Sequence, residues 1–264
     1  MSLSLVVMGA GGRMGSTIAS LALQQGIQLA AVMERPEFLD SIAHYGVLSG
    51  SDANVVFPQV PGAVVVDFTA PAAAIVTARA AVKYGNPMVI GTTGFSPEQK
   101  AELEELARQG RIFLSPNMSV GINVLLEVLP KLVHMLGPDY DLELVEMHHN
   151  RKKDAPSGTA LRLAECLAAA RDWDLSEVGC YHRKGIIGER PKKEIGVQTI
   201  RGGDVVGVHT VYFMGPGERI EVTHQAHSRE NFAQGALRAA RWIGTSEPGK
   251  IHTMNDILLS EEKS

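Results

Sequence analysis

Leu3-Ser4-Leu5-Val6-Val7-Met8-Gly9-Ala10-Gly11-Gly12-Arg13-Met14-Gly15 decides the fold of this 264-residue chain. Leu3 to Met8 is a short apolar run of the kind that forms a buried strand. A helical pattern follows from Ser16 to Gln25. A glycine-rich turn between a first strand and a first helix lets the backbone approach a pyrophosphate, and the helix start then faces the anion. The spacing is Gly9-x-x-Gly12-x-x-Gly15, with Gly9-x-Gly11 inside it, and departs from the strict G-x-G-x-x-G pattern. Its place at the first strand–helix junction strengthens the reading. So does Glu34, at the end of a second strand, Gln28 to Met33, where a carboxylate accepts from ribose hydroxyls. Arg35 beside it offers a partner to a 2′-phosphate instead. The pair suggests that NADH and NADPH are both tolerated.

Further along, Val64 to Phe68 reads as a strand and Pro71 to Tyr84 as an alanine-rich helix with Pro in its first turn. Pro87 to Ile90 is a strand with Gly91-Thr92-Thr93-Gly94 as its exit loop. Ser96-Pro97-Glu98-Gln99 resembles a capping box opening a helix to Arg108, and Ile112 to Leu114 is another strand. Strands alternating with helices imply an α/β, Rossmann-like, doubly wound parallel sheet. Ligands bind such sheets beyond the carboxyl ends of the strands. The loops Asp67-Phe68-Thr69 and Gly91 to Gly94 are therefore expected to line the cofactor groove.

The rhythm changes after about Asn117. A helix from Gly121 to Leu136, a strand from Leu142 to Met147 and a helix from Ser157 to Ala170 are predicted. Longer strands then dominate: Val197 to Arg201, Val205 to Phe213 and Arg219 to Ala226. Gly215-Pro216-Gly217 between the last two is a hairpin signal. Residues Arg183 to Lys193, rich in glycine and charge, read as a long loop. This is an α+β arrangement with a mixed or antiparallel sheet. The helix from Arg229 to Ile243 returns to the first domain. The expected division is 1–118 with 229–264 for the dinucleotide and 119–228 for substrate and assembly.

Net charge is −4, which argues against nucleic acid as the main partner. Cys166 and Cys180 make neither a disulfide framework nor a zinc cluster, so no metal is expected. No apolar run is long enough for a membrane span, and the chain enters a strand without a basic leader, so a cytoplasmic protein is expected.

The chemistry concentrates in Glu146-Met147-His148-His149-Asn150-Arg151-Lys152-Lys153-Asp154-Ala155-Pro156-Ser157-Gly158-Thr159-Ala160. Histidine moves a proton near neutral pH. Adjacent strand residues point to opposite faces, so His148 and His149 cannot share one role if the strand runs through both. One acts as the acid, and the other binds or packs. Lys152 steadies negative charge that develops as hydride arrives. Ser157, Gly158 and Thr159, opening a helix, offer hydroxyl and backbone donors to a carboxylate. Arg151 and Lys153 read as a solvated face. Asp154 either orients Lys152 or caps the helix.

The run Glu-x-His-His-x-x-Lys-x-Asp-Ala-Pro-Ser-Gly-Thr-Ala resembles the signature of the 4-hydroxy-tetrahydrodipicolinate reductase (dihydrodipicolinate reductase) family of lysine and diaminopimelate synthesis. The similarity extends to Asn117-Met118-Ser119-Val120-Gly121-Ile122-Asn123, to Arg201-Gly202-Gly203-Asp204-Val205-Val206-Gly207-Val208-His209-Thr210, and to Gly217-Glu218-Arg219-Ile220-Glu221. The resemblance implies that nicotinamide hydride goes to C4 of an unsaturated dicarboxylate ring, the 4-hydroxyl leaves as water, and a proton completes tetrahydrodipicolinate. It implies His148 as the proton donor or acceptor and Lys152 as the second catalytic residue. His149, Gly158 and Thr159 match substrate contacts. Gly9, Ala10, Gly11, Gly12, Arg13, Met14, Glu34, Arg35, Phe68, Gly91, Thr92, Thr93, Ser115, Pro116, Asn117 and Met118 match cofactor contacts. A homotetramer built by the middle domain is also implied. Pro116 and Met118 stand where an Ala and an aromatic are often found.

The rival readings are another two-domain nicotinamide enzyme, such as a homoserine or aspartate dehydrogenase, and a nicotinamide-sensing regulator without turnover. The regulator would keep Gly9 to Gly15 but has no need of His148 plus Lys152.

Overall fold

A computed structural model describes residues 3–261. The chain divides into two units, Met1–Val120 with Arg229–Ser264 and Gly121–Ser228.

The first unit is built on a seven-stranded sheet. In chain order its strands and helices are β1 (Ser4–Met8), α1 (Arg13–Gln24), β2 (Gln28–Met33), β3 (Leu48–Gly50), α2 (Ala53–Val56), β4 (Val64–Asp67), α3 (Pro71–Tyr84), β5 (Met88–Ile90), α4 (Pro97–Ala107) and β6 (Ile112–Leu114). The strands pair in parallel in the order β3-β2-β1-β4-β5-β6, and a late strand, Ile251–His252, extends the β6 edge. Neighbouring β1 residues feed opposite cores, because side chains alternate along a strand. Leu5 and Val7 pack with Ile18 and Ala22 of α1. Val6 packs with Ala74 and Ala78 of α3 and Leu103 of α4. The sheet is thus covered on both faces, which is why its strands read as continuous apolar runs. The capping box forms: Ser96 Oγ accepts from Gln99 N–H, and the Gln99 side chain accepts from Ser96 N–H.

The second unit begins within α5 (Val120–Leu136). Then come β7 (Asp141–His148), α6 (Gly158–Ala169), α7 (Leu175–Val178), β8 (Gly179–Cys180), β9 (Ile195–Arg201), β10 (Gly207–Gly215) and β11 (Glu218–Ala226). They form a mixed sheet of order β11-β10-β7-β9-β8. β10 is antiparallel to β11 and β7, while β7 and β9 are parallel. Pro216-Gly217 closes the β10–β11 hairpin, with Gly217 at φ 79°, a left-handed conformation that glycine adopts at little cost. Along β7, Leu142, Leu144, Glu146 and His148 are buried and alternate with partly exposed residues. Leu142 and Leu144 meet Leu163 and Leu167 of α6 and Leu129 and Val133 of α5. Glu146 and His148 therefore continue the strand's core-facing row. Residues 183–193 form neither helix nor strand, and two arginines pin them. Arg183 bonds both Glu143 oxygens, at 2.7 and 2.9 Å, and Arg190 reaches Glu143 and Asp141.

The chain then re-enters the first unit with α8 (Glu230–Ile243), followed by β12 (Ile251–His252) and α9 (Met254–Glu261). Ala233, Ala236 and Leu237 of α8 join the core beside α1. Two sequence expectations shift. The helix predicted from Ser16 starts at Arg13, directly at the glycine turn. The strand predicted from Val205 starts at Gly207, because Val205 offers its carbonyl to His149 N–H rather than to the sheet.

Candidate functional site

In the first unit the glycine loop is shaped by contacts that a side chain would break. Gly9 takes φ 62°, and its carbonyl accepts from Gly12 N–H at 2.9 Å. A Cβ at Gly15 would overlap that same carbonyl oxygen. Gly12 is the N-cap of α1 and supplies no capping side chain, and the first turn holds no acidic residue. The amides at the α1 start, from Arg13 and Met14, are thus left for an anion. Glu34 Oε2 accepts from Gly11 N–H at 3.1 Å and Oε1 from Arg35 N–H at 3.0 Å, which fixes the carboxylate beside the loop. Arg35 is exposed, stacks over Phe38 at 4.7 Å and pairs with Glu37 at 3.4 Å.

The loops after β4 and β5 are tied together by Asp67. This fully buried carboxylate accepts from Thr69 N–H, Thr69 Oγ1 and Thr92 Oγ1, all on Oδ1 at 2.7–2.9 Å. Burial pushes its acid above the usual carboxylate range against those bonds. The Phe68 ring lies on the Gly91 backbone so closely that a Cβ there would overlap it. After β6, Ser115 Oγ donates to Asn117 O and Asn117 Oδ1 accepts from Ser119 N–H.

These residues fit a dinucleotide, because the glycine cradle and the uncapped helix start leave room and donors for its phosphates. Gly9, Gly11, Gly12, Arg13, Met14, Glu34, Arg35, Thr93, Pro116 and Asn117 are at least partly exposed. The side chains of Ala10 and Met118 are 1 % exposed and sit in the core, so these two residues have only backbone to offer. Thr92 is buried with its hydroxyl on Asp67, and Ser115 is also buried.

In the second unit a single carboxylate organises the cluster. Glu146 is fully buried. Its Oε2 lies 2.6 Å from His148 Nδ1 and accepts from Arg201 Nη1 at 2.7 Å. Its Oε1 accepts from Arg201 Nη2 at 2.7 Å, Ser157 N–H at 2.9 Å and Thr199 Oγ1 at 3.3 Å. Sheet register makes this possible: Glu146 is level with Thr199 on one side and His209 on the other, and His148 with Arg201. Burial alone would raise the Glu146 acid. The bonds from Arg201, His148 and Ser157 outweigh it and hold it at about 2.

His148 ends β7, and His149 lies beyond it with its N–H on Val205 O, so the two are placed differently. Burial pushes the His148 imidazole below its ordinary value. Glu146 opposes that, while Lys152 and Arg201 add to it. The free imidazole is therefore neutral at neutral pH. A Cβ at Gly207 would come 3.0 Å from His148 Nε2, so glycine leaves that nitrogen room. His209 packs edge-on to His148, ring centres 5.1 Å apart, and its Nε2 lies 3.1 Å from Ser157 Oγ. Burial, with His148 beside it, pushes His209 down to about 4.

Lys152 Nζ pairs with Asp154 at 2.9 Å, and Ser157 is the cap of α6, accepting from Ala160 N–H. The alternative left open for Asp154 is thus resolved towards Lys152. Ser157 is 2 % exposed with its hydroxyl between Ala160 and His209, whereas Gly158 is exposed at the helix start. Sequence reasoning missed Glu146, Arg201 and His209 as members of this cluster. Glu146 was within reach, since it stands two residues before His148 and so on the same face of the strand. Arg201 and His209 need the strand register. Among the described residues, no group of three His, Cys, Asp or Glu is placed to hold a metal ion.

A glycine-turn nucleotide cradle joined in one chain to a neutral, carboxylate-oriented histidine, a nearby lysine and a helix start with Gly158 exposed defines a nicotinamide-dependent oxidoreductase of small anions. The dihydrodipicolinate reductase N-terminal model matches residues 3–118 and the C-terminal model residues 121–258. The 4-hydroxy-tetrahydrodipicolinate reductase of Nitratidesulfovibrio vulgaris (strain DP4) is 70% identical over 98% of this chain and 100% of its own length. That of Lawsonia intracellularis is 59% identical over the same shares. Among solved structures, a dipicolinate-bound dihydrodipicolinate reductase from Paenisporosarcina sp. TG-14 shares the fold. Its TM-score is 0.77 at 22% identity, covering 96% of this chain and 98% of that one. The chain belongs to the dihydrodipicolinate reductase family, NAD(P)H-using oxidoreductases that reduce 4-hydroxy-tetrahydrodipicolinate in lysine and diaminopimelate biosynthesis.

Proposed function

We propose that His148 carries the proton of this reduction, with Lys152 steadying the charge that develops and the α6 start holding a substrate carboxylate. The observation that carries this is the 2.6 Å contact between His148 Nδ1 and the Glu146 carboxylate. An ionised carboxylate only accepts, so Nδ1 carries the hydrogen and Nε2 is left to exchange a proton with substrate. When bound, the reduced nicotinamide supplies the hydride that adds at C4. The Gly9–Met14 turn holds its phosphates, Glu34 its ribose, and the loops at Phe68, Gly91–Thr93 and Ser115–Met118 its remaining surface. In the second unit a dianionic ring brings negative charge to His148, which favours the imidazolium and loads Nε2 with the proton it then donates. Lys152 Nζ, already turned towards a carboxylate in Asp154, exchanges that partner for substrate. His149 and the Gly158 and Thr159 backbone complete the carboxylate contacts, and Ser157 supports them from beneath as the cap.

The residues 119–228 carry substrate and assembly, and 1–118 with 229–264 carry the dinucleotide. A homotetramer is the assembly that the family membership and the second unit's sheet support. Val145, Met147, Tyr212 and Met214 lie on the face of that sheet opposite its own core, and each is partly exposed. A cytoplasmic setting fits a biosynthetic enzyme. No helix among the described residues is long and apolar enough to cross a membrane.

The decisive assay follows loss of reduced-nicotinamide absorbance, with NADH and NADPH separately and substrate made in place from pyruvate and aspartate semialdehyde. Oxidation that depends on the dicarboxylate is expected. Oxidation without it would favour a different dehydrogenase. His148→Gln is expected to lower kcat far more than it raises KM, because the acid acts in the transition state. Lys152→Ala is expected to lose roughly 100-fold or more in kcat, the scale of a lost electrostatic stabiliser. A folded His148→Gln enzyme with unchanged kcat would remove His148 from the chemistry.

A further inference from the structure

Besides bonding Thr199, Glu146 ties together the parts of the site that carry the chemistry. It meets His148 Nδ1 at 2.6 Å, both Nη atoms of Arg201 at 2.7 Å, and the backbone N–H of Ser157, the cap of α6, at 2.9 Å. Arg201 is anchored in turn by Asp154 O at 2.7 Å, in the loop that carries Lys152. The proton-bearing ring, the helix start and the lysine loop therefore share one buried carboxylate as their common fixed point. Two forked bonds from a planar guanidinium set the plane of that carboxylate as well as its charge.

We propose that Glu146, clamped by Arg201, is the positioning residue of this reaction, fixing His148 as its Nδ1–H tautomer and tying that ring to the carboxylate-binding start of α6. The inference rests on the reading of His148 as the proton carrier. Glu146 does not face substrate, since it is fully buried and its oxygens are occupied by Arg201, His148, Ser157 and Thr199. It acts through those partners. The groups that set the charge on His148 are Glu146 from its own strand, Arg201 from β9, His209 from β10, and Lys152 with its partner Asp154 from the following loop. Glu146 is the anion among them in direct contact with the ring, so its loss leaves Arg201, the Lys152–Asp154 pair and a neutral His209 around His148.

Glu146→Gln keeps the shape and removes the charge. A carboxamide has one acceptor oxygen, so its NH2 must face Arg201, Ser157 N–H or His148 Nδ1, and each choice breaks the arrangement. The expected result is a loss of roughly 100-fold or more in kcat, a rise in KM for the dicarboxylate, and NADH binding by fluorescence titration unchanged. Histidine NMR adds a readout that a merely structural role would not move. His148 in Glu146→Gln is expected to titrate lower than in the parent and to lose its preference for the Nδ1–H tautomer. Glu146→Asp, which keeps the charge, is expected to restore that preference and to recover part of kcat.

A folded Glu146→Gln protein with kcat within a few-fold of the parent, while His148→Gln is crippled, would overturn this proposal alone. If His148→Gln is also active, the reading of His148 falls with it. Should Glu146→Gln fail to fold, ring nitrogen shifts in the unaltered protein decide. Hydrogen on Nδ1 of His148 supports the proposal, and hydrogen on Nε2 of the neutral ring overturns it.

Discussion

Glu34 and Arg35 are neighbours in sequence with opposite consequences for cofactor choice. Glu34 is held beside the glycine loop by Gly11 N–H, where a carboxylate suits a ribose diol and repels a 2′-phosphate. Arg35 lies outside, on Phe38 and Glu37, free of the loop itself. Glu34→Gln is expected to raise the NADPH-to-NADH ratio of kcat/KM, and Arg35→Ala to lower it. If neither ratio moves, neither side chain meets the cofactor. His209 carries a different kind of consequence. Its imidazole is held at about 4 in the fold against an ordinary 6.5, so the unfolded chain binds the extra proton first as pH falls. The stability it contributes is fully present above about pH 6.5 and is lost as pH drops towards about 4. His148 and His224 are depressed in the same direction. Urea midpoints are therefore expected to fall across that window, and His209→Gln to flatten the slope. An unchanged slope would mean that His209 titrates normally.

Local signals resolve some elements and leave others hidden. Ser157 illustrates the first kind: a Ser-Gly-Thr start before an apolar pattern is a helix opening, and α6 begins there with Ser157 as its cap. Ser157→Ala removes the acceptor for Ala160 N–H and the partner of His209, while Glu146 keeps its hold on the backbone N–H. A loss of about 1 kcal/mol is expected from the cap, with KM for the dicarboxylate rising more than kcat falls. An unaltered KM would show that the helix start does not meet substrate. The glycine turn, the capping box at Ser96 and the Gly215–Gly217 hairpin were legible for the same reason, since each is a short pattern with its own mechanism. The stretch from Pro36 to Gln59 was not read. It holds a ten-residue 3-10 helix over Pro36–Tyr45, whose three residues per turn depart from the 3.6 period of an α-helix, and the three-residue β3 and four-residue α2, both too short for periodicity to register. β12 is two residues long and exists by pairing with β6. Arg201 and His209 lie more than fifty residues from Glu146. Only strand register, which no local pattern encodes, brings them to it.

At the scale of the whole molecule, the second unit's sheet presents unequal faces. One carries Leu142, Leu144, Val197, Val211 and Phe213 into a core with α5 and α6. The other carries Val145, Met147, Val208, Tyr212 and Met214, none of them buried within the chain. An antiparallel pair can leave one face to water, but that face is then normally polar. Here the apolar side chains are interleaved with Asp141, Glu143 and Thr210, level with Met214, Tyr212 and Val145, and so many unburied apolar residues on one face fit a surface covered by another protein. The edge strand β11 contributes Arg219, Glu221, Thr223 and Gln225 beside them, which suits the polar rim of such a contact. In the proposed homotetramer, symmetric self-association would cover these residues with a copy of the same face. Light scattering is expected to return about four times the 28.4 kDa chain mass. Tyr212→Asp with Met214→Asp puts paired charges into this face and is expected to yield smaller species that still bind NADH, since the glycine cradle lies in the other unit. A parent protein that scatters as a monomer would remove the tetramer, and a double variant that stays tetrameric would move the interface off this face.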